Sequence, residues 1–208
     1  MEAERIQEIY DRRAARYDQT IGFAERFAFG PLRVSFGAEL QGDILEIGIG
    51  SGLNLPHYSP SVGRAVGVDL SRGMLLQARR RATESARPVG LVQADAEHLP
   101  FPAATFDTVA ISLALCTVPN PDVALREMIR VCRPNGRLVL LEHVRSPIAP
   151  VDWMMRLLAP LQHRLFGCNL RRETIDTARS LGLAIESEQR RLGSIVRLVV
   201  ARPPNADS

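Results

Sequence analysis

Lysine is absent from this sequence: all 26 basic residues among its 208 are arginine. Without lysine there is no Schiff-base nucleophile and no lysine for a Walker A phosphate loop, so both chemistries are excluded. Cysteine is scarce as well. Cys116, Cys132 and Cys168 are widely separated, odd in number and never in a Cys-x-x-Cys pair; this argues against a disulfide framework and a zinc site and fits a reducing cytoplasm. No apolar run approaches the roughly 20 residues that span a bilayer. The charged start Met1-Glu-Ala-Glu-Arg is followed by no signal-like apolar core, so neither export nor a membrane span is expected. A strong charge of one sign is missing too. Set against 23 Asp and Glu, the arginines leave a formal +3, too dilute an excess to point to a nucleic-acid partner. No aromatic-basic RNA motif, internal repeat or low-complexity tract is visible.

What is present is enough for one full core: 46% of the residues are hydrophobic and 24% charged, over a length that suits one domain. Five short runs rich in Val, Ile and Leu, at Asp43–Ile47, Ala65–Asp69, Gly90–Ala94, Thr108–Leu113 and Arg137–Glu142, read as buried parallel strands. Helical stretches at 53–58, 72–85 and 121–133 lie between them, the last opened by Asn120-Pro121 and closed by Pro134-Asn135-Gly136. Strands alternating with helices predict a doubly wound, mostly parallel α/β sheet. The two prolines in His98-Leu-Pro-Phe-Pro-Ala-Ala reduce one crossover to a loop or short helix. Residues 3–18 carry Ile6, Ile9, Tyr10, Ala14 and Tyr17 at helical spacing, and a second apolar segment covers Phe23–Leu40. Ile185–Arg191 and Ile195–Ala201, joined by Leu192-Gly193-Ser194, read as an antiparallel hairpin. The expected layout is a helical cap (1–40), a core (41–146), a helical insertion (147–182), an edge hairpin (183–202) and a mobile tail (203–208).

The chemistry starts where the first strand ends. Glu46 precedes Gly48-x-Gly50-x-Gly52, a turn whose missing side chains let backbone amides approach a ligand, with Asn54 just beyond it. Taken alone, such a turn is equally a tight strand-to-helix connection. The second strand adds Asp69, an acid placed to accept hydrogen bonds from both hydroxyls of a ribose, with Leu70 beside it. A dinucleotide enzyme would have a small residue three positions after the second glycine. Leu53 stands there instead, which disfavours the alternative of a nicotinamide-dependent oxidoreductase.

The glycine spacing after Glu46, Asp95-Ala96 after the third strand and Phe106-Asp-Thr-Val-Ala-Ile-Ser-Leu113 resemble the motifs of class I S-adenosylmethionine-dependent methyltransferases, which have a Rossmann-like fold. That resemblance implies S-adenosylmethionine as cofactor and S-adenosylhomocysteine as product. It places Asp95 and Ala96 at the adenine edge and Leu113 at the end of the fourth strand. Met74 either covers the adenine or packs in the core. Tyr10-Asp-Arg-Arg-Ala-Ala-Arg-Tyr17-Asp18, Leu99-Pro-Phe-Pro and Glu127-x-x-Arg-Val-x-Arg-Pro-Asn-Gly136 are similar to the ubiquinone and menaquinone methyltransferases. Leu115-Cys-Thr-Val, Leu141-Glu-His-Val and Phe166-Gly-Cys-Asn-Leu-Arg-Arg-Glu-Thr174 are similar to the methyltransferase-like thiol methyltransferases of animal lipid membranes. Bacterial phospholipid N-methyltransferases share the general plan. Two departures stand out: the animal proteins' N-terminal membrane anchor is not seen, and their Pro-Gly-Gly turn reads Pro-Asn-Gly.

The resemblance favours methyl transfer to a small hydrophobic acceptor, a thiol first, then a quinone-like or phenolic ring, then a phospholipid amine. Because the sulfonium already activates the methyl group, the protein has chiefly to align a nucleophile and exclude water. His143, after the fifth strand, is either a base for the acceptor or bonded to backbone, and Glu142 is its partner or a buried acid paired with arginine. Tyr17, with Asp18, ends the first helix as a cofactor cover or a core tyrosine. Cys116 borders the substrate as a small buried hydrophobe, not as a nucleophile. Cys168 and Asn169, with Arg171 and Arg172, bound the acceptor pocket or make surface ion pairs. The run Val151–Phe166, which includes Trp153 and carries Arg156 and Arg164 for interfacial contact, is a lipophilic lid or a packed helix. The expected place is the cytoplasm, with peripheral contact at the inner membrane face.

Overall fold

The computed structural model describes residues 2–25, 29–85, 87–145, 148–169, 172–191 and 195–204. Its seven strands are β1 (Gly42–Ile47), β2 (Val62–Asp69), β3 (Val89–Gln93), β4 (Phe106–Ser112), β5 (Cys132–His143), β6 (Ala184–Arg191) and β7 (Val196–Arg202). They form a single sheet in the order β3-β2-β1-β4-β5-β7-β6. The first five are parallel, and β7 and β6 add an antiparallel hairpin at the β5 edge.

Successive strand residues point to opposite faces, and here both faces are apolar. Leu45, Ile47, Val109, Ile111, Leu138 and Leu140 face one core, closed by α5 (Pro121–Val131) and α7 (Thr174–Ser180). Ile44, Ala110, Val139 and Leu141 face the other, closed by α3 (Gly30–Ala38) and α4 (Arg72–Glu84). Covering both faces is what forces near-continuous apolar strands. Helix α5 shows the matching helical pattern, burying Ala124, Leu125, Met128 and Val131 along one stripe. Helix α4 starts where the Ser71 hydroxyl accepts from the Met74 amide at 3.1 Å, satisfying one of the otherwise orphaned first-turn amides.

The cap is α1 (Glu2–Arg13), a 3-10 turn at Ala14–Arg16, and α2 (Tyr17–Ala24). Tyr17 and Asp18 therefore open a second helix; they do not end the first. Residues 53–58, read as a helix, give one 3-10 turn at Leu55–His57, with Gly52 left-handed (φ 82°) just before it. The turn expected at Pro134-Asn135-Gly136 lies inside β5. Pro134 disfavours helix at Arg133, so α5 ends and Cys132 pairs with Phe106. The register then jumps until Arg137 faces Thr108. Residues 98–104, read as a loop or short helix, form a loop. The helical insertion resolves into α6 (Ala149–Phe166) and α7. Pro203 is buried, so packed chain continues past 202; the Leu192–Ser194 turn and residues 205–208 lie outside the described residues.

At Gly37 the packing of α3 is tightest. A Cβ there would sit 2.0 Å from the His57 carbonyl oxygen. Alanine, usually the better helix former by about 1 kcal/mol, would here overpack a backbone contact. Gly37→Ala is expected to lose about 1–3 kcal/mol, read as a lower urea midpoint at unchanged m; a midpoint that stayed or rose would contradict this packing.

Candidate active site

The chain crosses to opposite sides of β1 on leaving β1 and on leaving β3, so the carboxyl ends of β1 and β4 flank a topological switch point, where open α/β sheets bind ligands. A cavity of about 480 Å³ opens there. Its floor is the glycine turn. Gly48, Gly50 and Gly52 have φ of 64°, 58° and 82°, values that favour glycine. A Cβ on Gly50 would point over open cavity, with the Met74 methyl at 3.4 Å its nearest neighbour, whereas one on Gly52 would press on Ala78 of α4 at 3.2 Å. Gly48 and Gly50 thus line the cavity, and Gly52 lets α4 approach without lining it.

Asp69 ends β2 against this turn. Its Oδ2 accepts from the Gly50 amide and its Oδ1 from the Ser71 amide, each at 2.9 Å. Burial pushes its pKa up to about 6, although both amides pull the other way. Even with the Leu70 amide also bonding this carboxylate, its two oxygens keep a lone pair for ligand hydroxyls. Leu70, Met74, Asp95 and Ala96 continue the wall from here. Met74 is also 2% exposed, so its core and wall roles coincide.

The cap is latched to the same turn. Asp11 of α1 accepts from the Ser71 hydroxyl at 2.6 Å and the Gly73 amide at 2.8 Å. Asp18 of α2 accepts from the Ser51 hydroxyl at 2.6 Å and from Arg81 at 2.7 Å. These bonds carry Tyr17 over the cavity, its ring 6.2 Å from that of Tyr10. Burial raises the Tyr17 hydroxyl to about 12, so it stays protonated and can donate.

Glu46 does not line the cavity. It is fully buried behind the turn, accepting from Asn54 Nδ2 at 2.6 Å and from the Tyr58 hydroxyl. Burial lifts it to about 7 against those two bonds. Arg33, chelating Glu25, donates to Asn54 Oδ1 at 2.8 Å. Glu46 is thus a positioning residue: it holds Asn54, which does line the cavity.

The far end of the cavity lies beyond β4 and β5. Leu113, left-handed at φ 53°, turns the chain so that the Ala114 and Leu115 amides meet Glu142 Oε1 at 3.0 and 2.9 Å. Among the described residues Glu142 hydrogen-bonds neither His143 nor an arginine side chain, though the charge of Arg172 acts on it from nearby; burial raises it to about 7. His143 lines the cavity, its ring edge-on to Phe29 at 5.7 Å and its Nδ1 without a hydrogen-bond partner. Burial alone lowers its pKa to about 4, so the ring is neutral at physiological pH. Cys116 and Cys168 both line this end. A hydrogen bond to Cys168, then burial, holds the Cys116 thiol well above its ordinary pKa, so it stays protonated.

Three expected substrate contacts are not brought here. Helix α6 turns Met155 into the cavity, so Trp153, two residues earlier and about 200° round the helix, points outward and is 66% exposed. Trp153 and Arg172 line a second cavity of about 540 Å³. Arg172 donates to the Val118 carbonyl and braces the wall from behind. Asn169 gives its amide to the Cys116 carbonyl at 2.9 Å, a backbone role. Arg171 lies outside the described residues. Conversely, Tyr10, Phe29, Arg33, Ser112 and Met155 line the cavity without having been singled out. For Tyr10 the signal existed, since it shares a helical stripe with Ile6 and Ile9; a buried Arg33 has no pattern that announces it. Among the described residues no His, Cys, Asp and Glu group could hold a metal.

An adenosyl ligand fits what the turn leaves open: the space of a missing side chain at Gly50, a two-sided carboxylate at Asp69 and an apolar shelf at Met74. Ribose hydroxyls donate best to the ionised acid, so affinity should fall as pH drops through about 6, the raised value of Asp69. Calorimetry with S-adenosylhomocysteine is expected to show that fall. Asp69→Asn should weaken binding about 10-fold to 100-fold at pH 7.5, the worth of a charge-assisted hydrogen bond, and flatten the profile. A flat wild-type profile would remove Asp69 from the cradle.

Comparison with known proteins agrees with this geometry. Residues 45–140 match the family model described as a methyltransferase domain. Over 126 residues the chain is 40% identical to a phosphatidylethanolamine N-methyltransferase of Cereibacter sphaeroides, covering 60% of this chain and 62% of that one. Over 165 residues it is 33% identical to a ubiquinone/menaquinone biosynthesis C-methyltransferase of Bordetella parapertussis, covering 73% and 62%. The chain thus spans less than two thirds of these curated relatives. Its fold is shared with a solved S-adenosylmethionine-dependent methyltransferase of Thermotoga maritima, at a TM-score of 0.74 and 21% identity over 95% of this chain and 99% of that one. Residues 45–140 of this chain are accordingly a methyltransferase domain, and the fold built around them is that of the class I S-adenosylmethionine-dependent family.

Proposed function

We propose that the protein transfers the methyl group of S-adenosylmethionine to a small hydrophobic acceptor, and that a thiol suits its site best. The observation that carries this is the composition of the cavity's far end. Phe29, Cys116, Val118, Met155, Cys168 and Ile195 make it apolar, and one neutral histidine faces it. Among the described residues the lining carboxylates are Asp69 and Asp95, both at the nucleotide end.

When bound, the cofactor supplies a methyl on a positively charged sulfur, which an aligned lone pair can take at about 3–3.5 Å. The Gly48–Gly50 turn, Asp69, Asp95 and Met74 would hold it, and Tyr17 and Tyr10 would shield it from water. The proton released by the acceptor must leave. His143 is neutral and lines this end of the cavity, and its ring would accept a hydrogen bond from an acceptor S–H through whichever nitrogen faces the cavity. A group whose pKa is about 4 is a weak base, matched to a thiol near 8.5 better than to an alcohol or a ring carbon. A cationic amine would find no lining carboxylate at this end. The quinone-methylating relatives make a phenolic ring the second reading, since their identity runs through the same domain.

Labelled methyl transfer across alkyl thiols, phenols and amines should favour thiols of hydrophobic character. Label on rings or amines alone would reject the thiol assignment. His143→Asn should lower kcat about 10-fold to 100-fold at pH 7, at or below the low end for acid–base catalysis. The loss should shrink at pH 9, where the acceptor ionises unaided; equal losses at both would make the residue structural.

A further inference from the structure

Helix α6 has two faces of opposite character. Asp152 and Met155 are 7% exposed each, and Met155 lines the acceptor end of the cavity. On the other side, Trp153, Met154 and Leu157 are 66%, 51% and 66% exposed. Pro150 and Pro160 lie exposed along the same stripe. An outward row of Trp, Met and Leu at successive helical positions is costly in water.

Two arginines, Arg145 and Arg156, rim this stripe. Asp152, the sole acid between Ala149 and Phe166, is buried and engaged by Arg145 at 3.3 Å and Arg156 at 3.1 Å. Both guanidiniums remain about half exposed, at 47% and 54%. Exposed Glu173 offsets Arg145 at 3.9 Å, whereas the acid paired with Arg156 lies buried beneath it, so Arg156 is the positive group presented at the rim of the apolar face. That pairing fits a lipid surface carrying anionic headgroups: tryptophan at headgroup level, Met and Leu below it, arginine toward phosphate. Among the described residues no helix is long and apolar enough to cross a membrane, and α6 in particular carries its apolar side chains on opposite faces for different purposes.

We infer that the outer face of α6 docks on an anionic lipid surface, with its inner face forming part of the acceptor cavity's wall. A hydrophobic acceptor then moves from bilayer to cavity past a single helix. The route rests on the hydrophobic-acceptor reading; the docking does not.

Trp153 is the only tryptophan in the chain, so its emission reports this face alone. On titrating the whole protein with phosphatidylcholine vesicles containing phosphatidylglycerol, the emission should shift to shorter wavelength and be quenched by brominated acyl chains. Phosphatidylcholine alone should give a much weaker shift. Leu157→Glu should weaken vesicle binding about 10-fold to 100-fold, the worth of one buried leucine, while S-adenosylhomocysteine affinity and turnover of a short water-soluble thiol are unchanged. Arg156→Gln should reduce the preference for anionic vesicles. Unchanged emission with both vesicle types would overturn the inference, and equal shifts with both would overturn its anionic part. A shift without vesicles that grows with protein concentration, together with a dimer mass by light scattering, would assign the face to a second copy of the chain. If vesicles bind but no acceptor is methylated, the proposed function fails and the docking surface stands.

Discussion

The hydrogen bond from the Gly50 amide to Asp69, 2.9 Å long, joins the two halves of the nucleotide site. It fixes the tip of the turn after β1 against the end of β2, and so sets where a ligand's amide and hydroxyl partners stand relative to each other. Other contacts are referred to this one. Ser71, whose amide meets the other oxygen of Asp69, also caps α4 and donates to Asp11 of the cap. Ser51, next to Gly50, holds Asp18. Two helices before the core are thereby positioned by two side-chain hydroxyls flanking one carboxylate. A shift of the turn would move cap and cradle together, and a cover that is to exclude water needs that coupling.

Acids end three of the strands that meet at this edge: Glu46 near the end of β1, Asp69 at the end of β2 and Glu142 near the end of β5. Burial raises them to about 7, 6 and 7. A carboxyl raised above its unfolded value contributes stability that is full below that value, near 4, and lost as pH rises through about 6 to 7. His143 has the opposite sign. Its pKa is lowered, so its contribution is present above about 6.5 and lost as pH falls toward about 4. Between these limits the two trends oppose, and acidification relieves the carboxyls while straining the histidine. A cationic ligand in the cavity would favour the ionised acids, which links cofactor charge to the edge that holds it.

Much of this was legible in the residues. Strand runs such as Val109–Ile111 are apolar residue after residue because both faces are covered, and the glycine spacing and Asp69 mark the nucleotide end in the sequence itself. The failures have identifiable causes. Pro134-Asn135-Gly136 is a good turn by local chemistry, but tertiary pairing of Cys132 with Phe106 drew it into a bulged strand. Glu46 sits in the motif, yet its neighbours Asn54 and Tyr58 take both of its oxygens. Trp153 and Met155 are equally apolar, and only the helix's rotation decides which enters the cavity. The cap's latches join residues 11 to 71 and 18 to 51, distances along the chain at which spacing carries no signal.

The division between the readable and unreadable parts follows the construction of the site. The nucleotide end is made almost entirely within residues 45–140, the span that matches the methyltransferase domain. The acceptor end takes Phe29 from before that span and His143, Met155, Cys168 and Ile195 from after it. These side chains come from just before α3, the end of β5, α6 and the chain after it, and just before β7, so they can change without disturbing the Asp69–Gly50 link. Relatives sharing the domain include a phosphatidylethanolamine N-methyltransferase and ubiquinone/menaquinone biosynthesis C-methyltransferases, a spread that a constant cradle with variable walls allows. Acceptor choice is a matter of which apolar walls, and which proton acceptor, the flanking helices bring to the same methyl.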